Sequence, residues 1–339
     1  MSKLNTVSHS RESGNGLPDD LSGITHKIRL TDYLTDLIDP SDPSDPVARQ
    51  YMPSLEETIS SLVDQEDPIG DKRNGIGKIL VHRYPDRLLF LATDHCAAYC
   101  RFCFRKDRVG KGDAVISDEA IDDAIKYIED NTSLWEVIFS GGDPLILSPR
   151  RLKQIIARIA AIPHIKVIRF HTRLPVSDPA RVTQELADAL QSEKATYMVV
   201  HVNHANEITA QARDAFRILR AAGLNLLSQS VLLRGVNNDA DTLENLFREL
   251  TASGVKPYYL HHPDLVEGSA HFQLSLDEGQ SLMKALRGKI SGLCWPTYVL
   301  DIPGGYGKIP VNDSYVMKTA DGRYEVEDIN GRKHIYPPK

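Results

Sequence analysis

Apolar residues through most of this chain fall into two alternating rhythms. Short β-rich runs lie at 88–93, 137–140, 167–171, 197–202, 224–232 and 257–261. Between and after them come stretches whose apolar positions recur three and four apart, at 118–129, 150–161, 179–192, 207–222, 239–252 and 276–290. The first spacing suits strands and the second suits helices that bury one face. Their alternation predicts a parallel sheet covered by helices, an α/β fold. Six such units fit an open, partial (βα)6 barrel better than a closed eight-stranded one. Residues 31–80 read as an N-terminal helical accessory region. It holds a proline-punctuated turn from Asp39 to Pro46 and an amphipathic helix near 55–63. Residues 1–30 read as a mobile arm, 81–292 as the barrel and 293–339 as a C-terminal segment.

Composition narrows the class. Of 339 residues, 41% are apolar and 25% charged, enough for a large core under a solvated surface. The net charge of −6 gives no electrostatic footprint for nucleic acid. No apolar stretch reads as a signal peptide or a bilayer span, so no membrane partner is expected. Three of the four cysteines are clustered, which speaks against a disulfide scaffold and for a reducing, cytoplasmic setting.

Those three are Cys96, Cys100 and Cys103, directly after the first β-rich run. Three close thiolates suit a [4Fe-4S] cluster with one iron left open, because a fully held cluster takes four cysteines. The alternative is zinc, with His95 beside the triplet or Cys294 from afar as fourth ligand. Zinc motifs usually come as two separated pairs, which this triplet does not resemble. Polar groups follow the other runs: Ser140-Gly141-Gly142-Asp143, His171-Thr172-Arg173, His201-Val202-Asn203-His204, Gln229, and His262 to Asp264. In a βα barrel the active site lies at the C-terminal ends of the strands, so all would converge on one rim.

The triplet is the signature of the radical S-adenosylmethionine enzymes, and the chain resembles that superfamily. Four further stretches make it look like the lysine 2,3-aminomutase family: His82 to Arg87, Ser140 to Pro144, Tyr258 to Asp264, and Asp301 to Pro310. The resemblance runs from about Thr31 to Val316, in register. It implies a radical-SAM partial barrel, S-adenosyl-L-methionine, and a second cofactor, pyridoxal 5′-phosphate. It also implies a radical 1,2-amino shift between L-lysine and β-lysine, with a flavodoxin or ferredoxin as electron donor.

By the same resemblance, Lys308 forms a Schiff base with pyridoxal phosphate, and Arg83, Tyr84 and Arg87 hold its phosphate. Guanidinium groups suit such contacts. Ser140, Gly141, Gly142 and Asp143 receive the methionyl end of S-adenosylmethionine, and Arg173, His201, Asn203 and Gln229 contact the rest. Arg105 meets the substrate carboxylate. Asp264 and Asp301 hold the distant ammonium of lysine, since two buried carboxylates are costly without a cation. The chain departs from clostridial-type members, which carry further cysteines for structural zinc. Asn238, Asp239 and Ala240 stand where one of these lies, and no cysteine follows Val316. Any homo-oligomer would therefore be held without zinc. Other readings are the relative that makes β-lysine for elongation factor P, an aminomutase of arginine or ornithine, and an iron–sulfur electron carrier.

Overall fold

The longer helices of the barrel begin where a short polar side chain can satisfy the free N–H groups of the first turn, unlike the short α5 (Leu174–Ser177), which has no side-chain cap. In this computed structural model, which describes residues 23–59, 61, 63–111 and 116–337, Ser117 accepts from Ala120 N and starts α3 (Asp118–Asp130). Ser148 with Pro149 starts α4 (Pro149–Ala160). Thr209 starts α7 (Ala210–Ala221) and Asp239 starts α8 (Ala240–Ala252). Ser275 and Glu278 form a reciprocal box at the head of α9 (Leu276–Leu286).

The strands between them build one sheet whose order is the order of the sequence. Two antiparallel strands, β1 (Gly75–Ile76) and β2 (Leu80–Tyr84), lead in. Seven parallel strands follow: β3 (Arg87–Thr93), β4 (Glu136–Gly141), β5 (Val167–Thr172), β6 (Ala195–His201), β7 (Asn225–Val231), β8 (Lys256–His261) and β9 (Thr297–Asp301). A last antiparallel strand, β10 (Lys308–Pro310), folds back on β9. The six βα units are present, and β9 is a seventh parallel strand. The sheet edges β1 and β10 do not pair, so the barrel is partial. The seam is bridged by other contacts. Gly304 N donates to Pro68 O at 3.0 Å and Lys308 N to Tyr84 Oη at 2.9 Å. A Cβ on Gly70 would stand 2.7 Å from the Gly305 Cα.

The two sheet faces differ. On the helix side Phe90, Phe139, Phe170 and Met198 are cross-strand partners in one row, all fully buried. Phe139 and Phe170 stack at 4.7 Å. They meet apolar stripes such as Ile121, Ile125 and Ile128 of α3 in the main core. Fully burying each such side chain contributes roughly 1.5–3 kcal/mol. On the other face, Arg169, His171, His201, Gln229 and His261 point into the lumen.

Several expectations need correction. Among the described residues of 55–63 there is a single 3-10 turn, Leu55–Thr58, in place of the expected helix. Leu55, Ile59 and Val63 are more than half exposed, whereas Glu57 is drawn inward to buried Arg101. That ion pair turns the apolar stripe outward. The 179–192 helix is two pieces, a turn at Pro179–Arg181 and α6 (Gln184–Ala189), because Thr183 caps a new start. The boundary at 292 cuts the barrel, since β9 and β10 complete its sheet. Of the expected arm, residues 1–22 lie outside the described residues. From His26 the chain is packed, with the His26 and Lys27 carbonyls accepting from Arg101. The other accessory helices are short, α1 (Asp32–Leu37) and α2 (Ala48–Tyr51). A small sheet of Val316–Lys318, Tyr324–Glu327 and Lys333–Tyr336 was not foreseen. No helix among the described residues is long and apolar enough to cross a membrane.

Candidate active site

The curved sheet encloses a cavity of about 830 Å³. Strand alternation places inward side chains on it from every parallel strand. Of the residues singled out from the sequence, Arg83, Tyr84, Arg87, Cys96, Cys100, Cys103, Arg105, Ser140, Gly141, Gly142, Asp143, Arg173, His201, Gln229, Asp264, Asp301 and Lys308 line it. Asn203 does not. It is fully buried behind the wall, where its amide donates to Gln50 and its carbonyl accepts from Val231 N at 2.8 Å. Those bonds leave Asn203 a bracing role instead of a cofactor contact.

At one end the thiols sit on a loop pinned by backbone contacts. Tyr99 N donates to Arg29 O, and Arg101 N to Gln50 O at 2.8 Å. Arg101, wholly buried, donates from Nε to Glu57 at 2.7 Å. The glycine pair after β4 packs directly against the start of this loop. A Cβ on Gly142 would lie 2.1 Å from His95 O, and Gly141 has φ +110°. Both positions need glycine because another stretch of backbone fills the space, not to admit a ligand. The Asp143 carboxylate is turned into the protein. It accepts from Thr172 Oγ1 at 2.7 Å, Arg173 N at 2.7 Å, Leu145 N and Leu174 N. It therefore ties together the loops after β4 and β5.

Burial dominates the electrostatics at this end. Burial, then the neighbouring Asp143 and the other two thiols, push Cys96 well above the ordinary thiol range. Burial and Cys100 push Cys103 up to about 11. Arg173 donates from Nη1 to Cys100 Sγ at 2.8 Å and pairs with Glu207, also at 2.8 Å. It faces a thiol, where contact with S-adenosylmethionine had been expected. Three free thiols on one wall of the cavity fit an iron–sulfur group that takes thiolate ligands. Among the described residues, no three His, Cys, Asp or Glu side chains are gathered as a metal-ion site. Cys294 lies in the hydrophobic core, away from this wall.

The other end is dense with paired charge. Lys308 and Asp301 are register partners across β9 and β10, and the Lys308 ammonium sits on the Asp301 carboxylate. His261 Nδ1 lies 3.4 Å from both Asp301 and Lys308 Nζ. Burial alone would raise the Asp301 pKa, but His261 and Lys308 hold it well below the ordinary carboxylate range. Asp264 is the opposite case: burial and the Asp301 charge push it up to about 7. Asp71 bridges two arginines, with Arg105 Nε at 2.6 Å and Arg83 Nη2 at 3.3 Å. Arg105 also donates to Ser140 Oγ at 3.0 Å. Arg83 Nη1 lies 3.7 Å from Asp301, and Arg83 Nε is buried without a hydrogen-bond partner among the described residues. The Arg87 guanidinium stacks 3.8 Å over the Tyr84 ring.

Arg169, Tyr259 and His261 also line the cavity and were given no role from the sequence, and His171 was placed only among the groups of the rim. Arg169 pairs with Glu136 at 3.0 Å deep in the lumen. His171 Nε2 is buried without a hydrogen-bond partner among the described residues, and burial and then Arg169 lower its pKa well below the ordinary value. His261 and Tyr259 flank Lys308. The alternation in Val167-Ile168-Arg169-Phe170-His171 carried the signal, since Arg169 and His171 fall on the face opposite Phe170.

Comparison with known proteins follows these lines. Residues 90–247 match the family model described as Radical SAM superfamily, and residues 283–338 match the model described as Lysine-2,3-aminomutase. The chain is 40% identical to L-lysine 2,3-aminomutase of Clostridium subterminale, over 90% of this chain and 73% of that protein. It is 38% identical to L-lysine 2,3-aminomutase of Acetoanaerobium sticklandii, over 93% of this chain and 77% of the relative. It is also 36% identical to glutamate 2,3-aminomutase of Clostridioides difficile, over 87% and 70%.

Proposed function

This chain belongs to the lysine 2,3-aminomutase family of radical S-adenosylmethionine enzymes, and we propose that it interconverts L-lysine and β-lysine with pyridoxal phosphate as second cofactor. It is an isomerase by family. The observation that carries the choice of substrate is the seat at Asp301, which already holds a lysyl ammonium, that of Lys308, with the Asp264 carboxylate facing the same cavity. A second carboxylate, as in glutamate, would meet two like charges there, which costs several kcal/mol.

The residues present fit both cofactors. Cys96, Cys100 and Cys103 would hold the cluster, and Gln229 and His201 would face S-adenosylmethionine from the strand ends. Lys308 would carry pyridoxal phosphate, with Arg83 offering an orphaned Nε donor and Arg87 a half-exposed guanidinium to its phosphate. When bound, the cluster and S-adenosylmethionine supply hydrogen abstraction from carbon, and pyridoxal phosphate supplies transient attachment of the migrating nitrogen.

The protein's own part is placement. Arg105 takes the substrate carboxylate at the Ser140 side, and Asp264 and Asp301 take the distal ammonium at the β8–β9 side. Fixed at both ends, the carbon chain lies across the lumen between the thiols and Lys308. His261 stands where it can accept a proton from Lys308 Nζ. Burial and the Lys308 charge lower its pKa, so it rests neutral beside the Lys308 ammonium.

The test is anaerobic turnover of lysine, glutamate, arginine and ornithine by the reconstituted chain. Lysine should be fastest. Faster turnover of glutamate would overturn the assignment.

A further inference from the structure

Asp301 can seat one primary ammonium closely, and in this structure that ammonium belongs to the protein. Lys308 reaches it from the partner position of the same antiparallel pair, on a four-carbon stem. The distal end of L-lysine is chemically the same group. The remaining neighbours of Asp301 leave little room for a second cation: Arg83 stands at 3.7 Å on Oδ1, and His261 at 3.4 Å on Oδ2. A substrate ammonium arriving while Lys308 is in place would face two existing positive charges around one carboxylate.

We propose that Asp301 is a shared ammonium seat: Lys308 fills it in the cofactor-free protein, and a diamino acid gains it only after Lys308 leaves. This rests on the reading of Asp264 and Asp301 as the ammonium pocket and adds that the pocket is self-occupied. The pocket thus selects a primary amine on a flexible stem, and the free enzyme is protected from binding lysine before Lys308 is otherwise engaged. Asp264 supports the picture. It lines the same cavity as Asp301 and Lys308, and burial first, then the Asp301 charge, push its pKa up to about 7. An incoming ammonium would be drawn first to Asp264 and completed by Asp301.

The experiment is calorimetric titration of L-lysine into the full chain carrying its cluster but no pyridoxal phosphate. Lys308→Met and Lys308→Gln should bind lysine at least about tenfold tighter than the unaltered chain, because removal of an opposing charge acts directly on binding. Lys308→Arg, which keeps a cation in the seat, should bind as weakly as the unaltered chain. Norleucine, which lacks the distal ammonium, should bind all four proteins equally. Adding Asp301→Asn to Lys308→Met should erase the gain. Equal affinity of the unaltered, Met and Gln proteins, with Asp301→Asn still weakening each, would overturn the shared seat and leave the pocket standing. Lysine binding indifferent to Asp264→Asn and Asp301→Asn in every background would overturn both.

Discussion

The two ends of the cavity are assembled by opposite means. The thiol end draws its three cysteines from one eight-residue stretch, shaped by backbone packed on backbone at Gly141, Gly142 and His95. Burial first, and then neighbouring negative groups, make Cys96 and Cys103 costly to ionise. The amine end draws Asp71, Arg83, Arg105, Asp264, Asp301 and Lys308 from segments far apart in the chain, and these groups largely neutralise each other. A site for an inorganic group can thus be local and unbalanced, whereas a site for an exchanging organic substrate is distributed and carries its own counter-charges.

If that contrast is sound, damage should stay at its own end. The largest effect is expected from replacing Cys96, Cys100 or Cys103 with Ala. Bound iron and turnover should be lost, measured by anaerobic absorbance and iron analysis, while borohydride still traps pyridoxal phosphate on Lys308. Loss of that trapping in the cysteine variants would mean the ends are not separable. Next comes Asp301→Asn, which leaves Lys308 and Arg83 short of a counter-charge. Breaking a buried pair costs roughly 3–5 kcal/mol, read by denaturant unfolding. Lysine turnover should fall, and reductive cleavage of S-adenosylmethionine should persist. Unchanged stability and turnover would contradict the pairing seen here.

Gly142→Ala should have a smaller effect, confined to the thiol end. Its methyl group would meet the His95 carbonyl, and overpacking of this kind costs about 1–3 kcal/mol. Cluster content after reconstitution should drop, with pyridoxal phosphate uptake unaffected; normal cluster content would dismiss the packing argument. The mildest effect is the pH response of Asp264. Its pKa is raised to about 7 in the folded protein, so the folded state holds a proton that the unfolded chain gives up in the ordinary carboxylate range. Stability from this group is present at low pH and is lost as pH rises toward and through 7. Lysine affinity should run the other way, rising as Asp264 ionises. Asp264→Asn should flatten both trends, and a wild-type slope in that variant would assign them to another group.

What could be read from the chain followed the same division. The βα rhythm was legible because Phe90, Phe139, Phe170 and Met198 alternate with lumen residues, and helix heads announce themselves through Ser117, Ser148, Thr209, Asp239 and Ser275. The cysteine spacing is local, so its meaning was local too. Strand β9 was hidden because Thr297 to Asp301 follows Trp295-Pro296 and a turn instead of a clear helix end. The 55–63 helix failed because Glu57 answers Arg101, forty-four positions away, a demand no periodicity reveals. For the same reason Asn203 reads as a strand-end ligand but serves Gln50 and Val231. His171 and His261 were visible as residues, yet their convergence on Lys308 and Arg105 depends on sheet curvature.

Strand order that follows chain order has a consequence for biosynthesis. Each strand from β2 to β10 pairs with the strand made just before it, so the sheet can grow by addition as the polypeptide emerges. The contacts that close the seam, Pro68 with Gly304 and Tyr84 with Lys308, join residues more than two hundred positions apart. Long loops must be closed before such contacts count, so they form late. A nascent chain would own its three thiols well before it owned its lysine. Iron could be loaded on a half-finished lumen, whereas the organic cofactor must wait for the last hairpin. Pulse-labelling hydrogen exchange during refolding should then protect the amides of β4 to β6 before those of Gly304 and Lys308, and simultaneous protection would rule out this order.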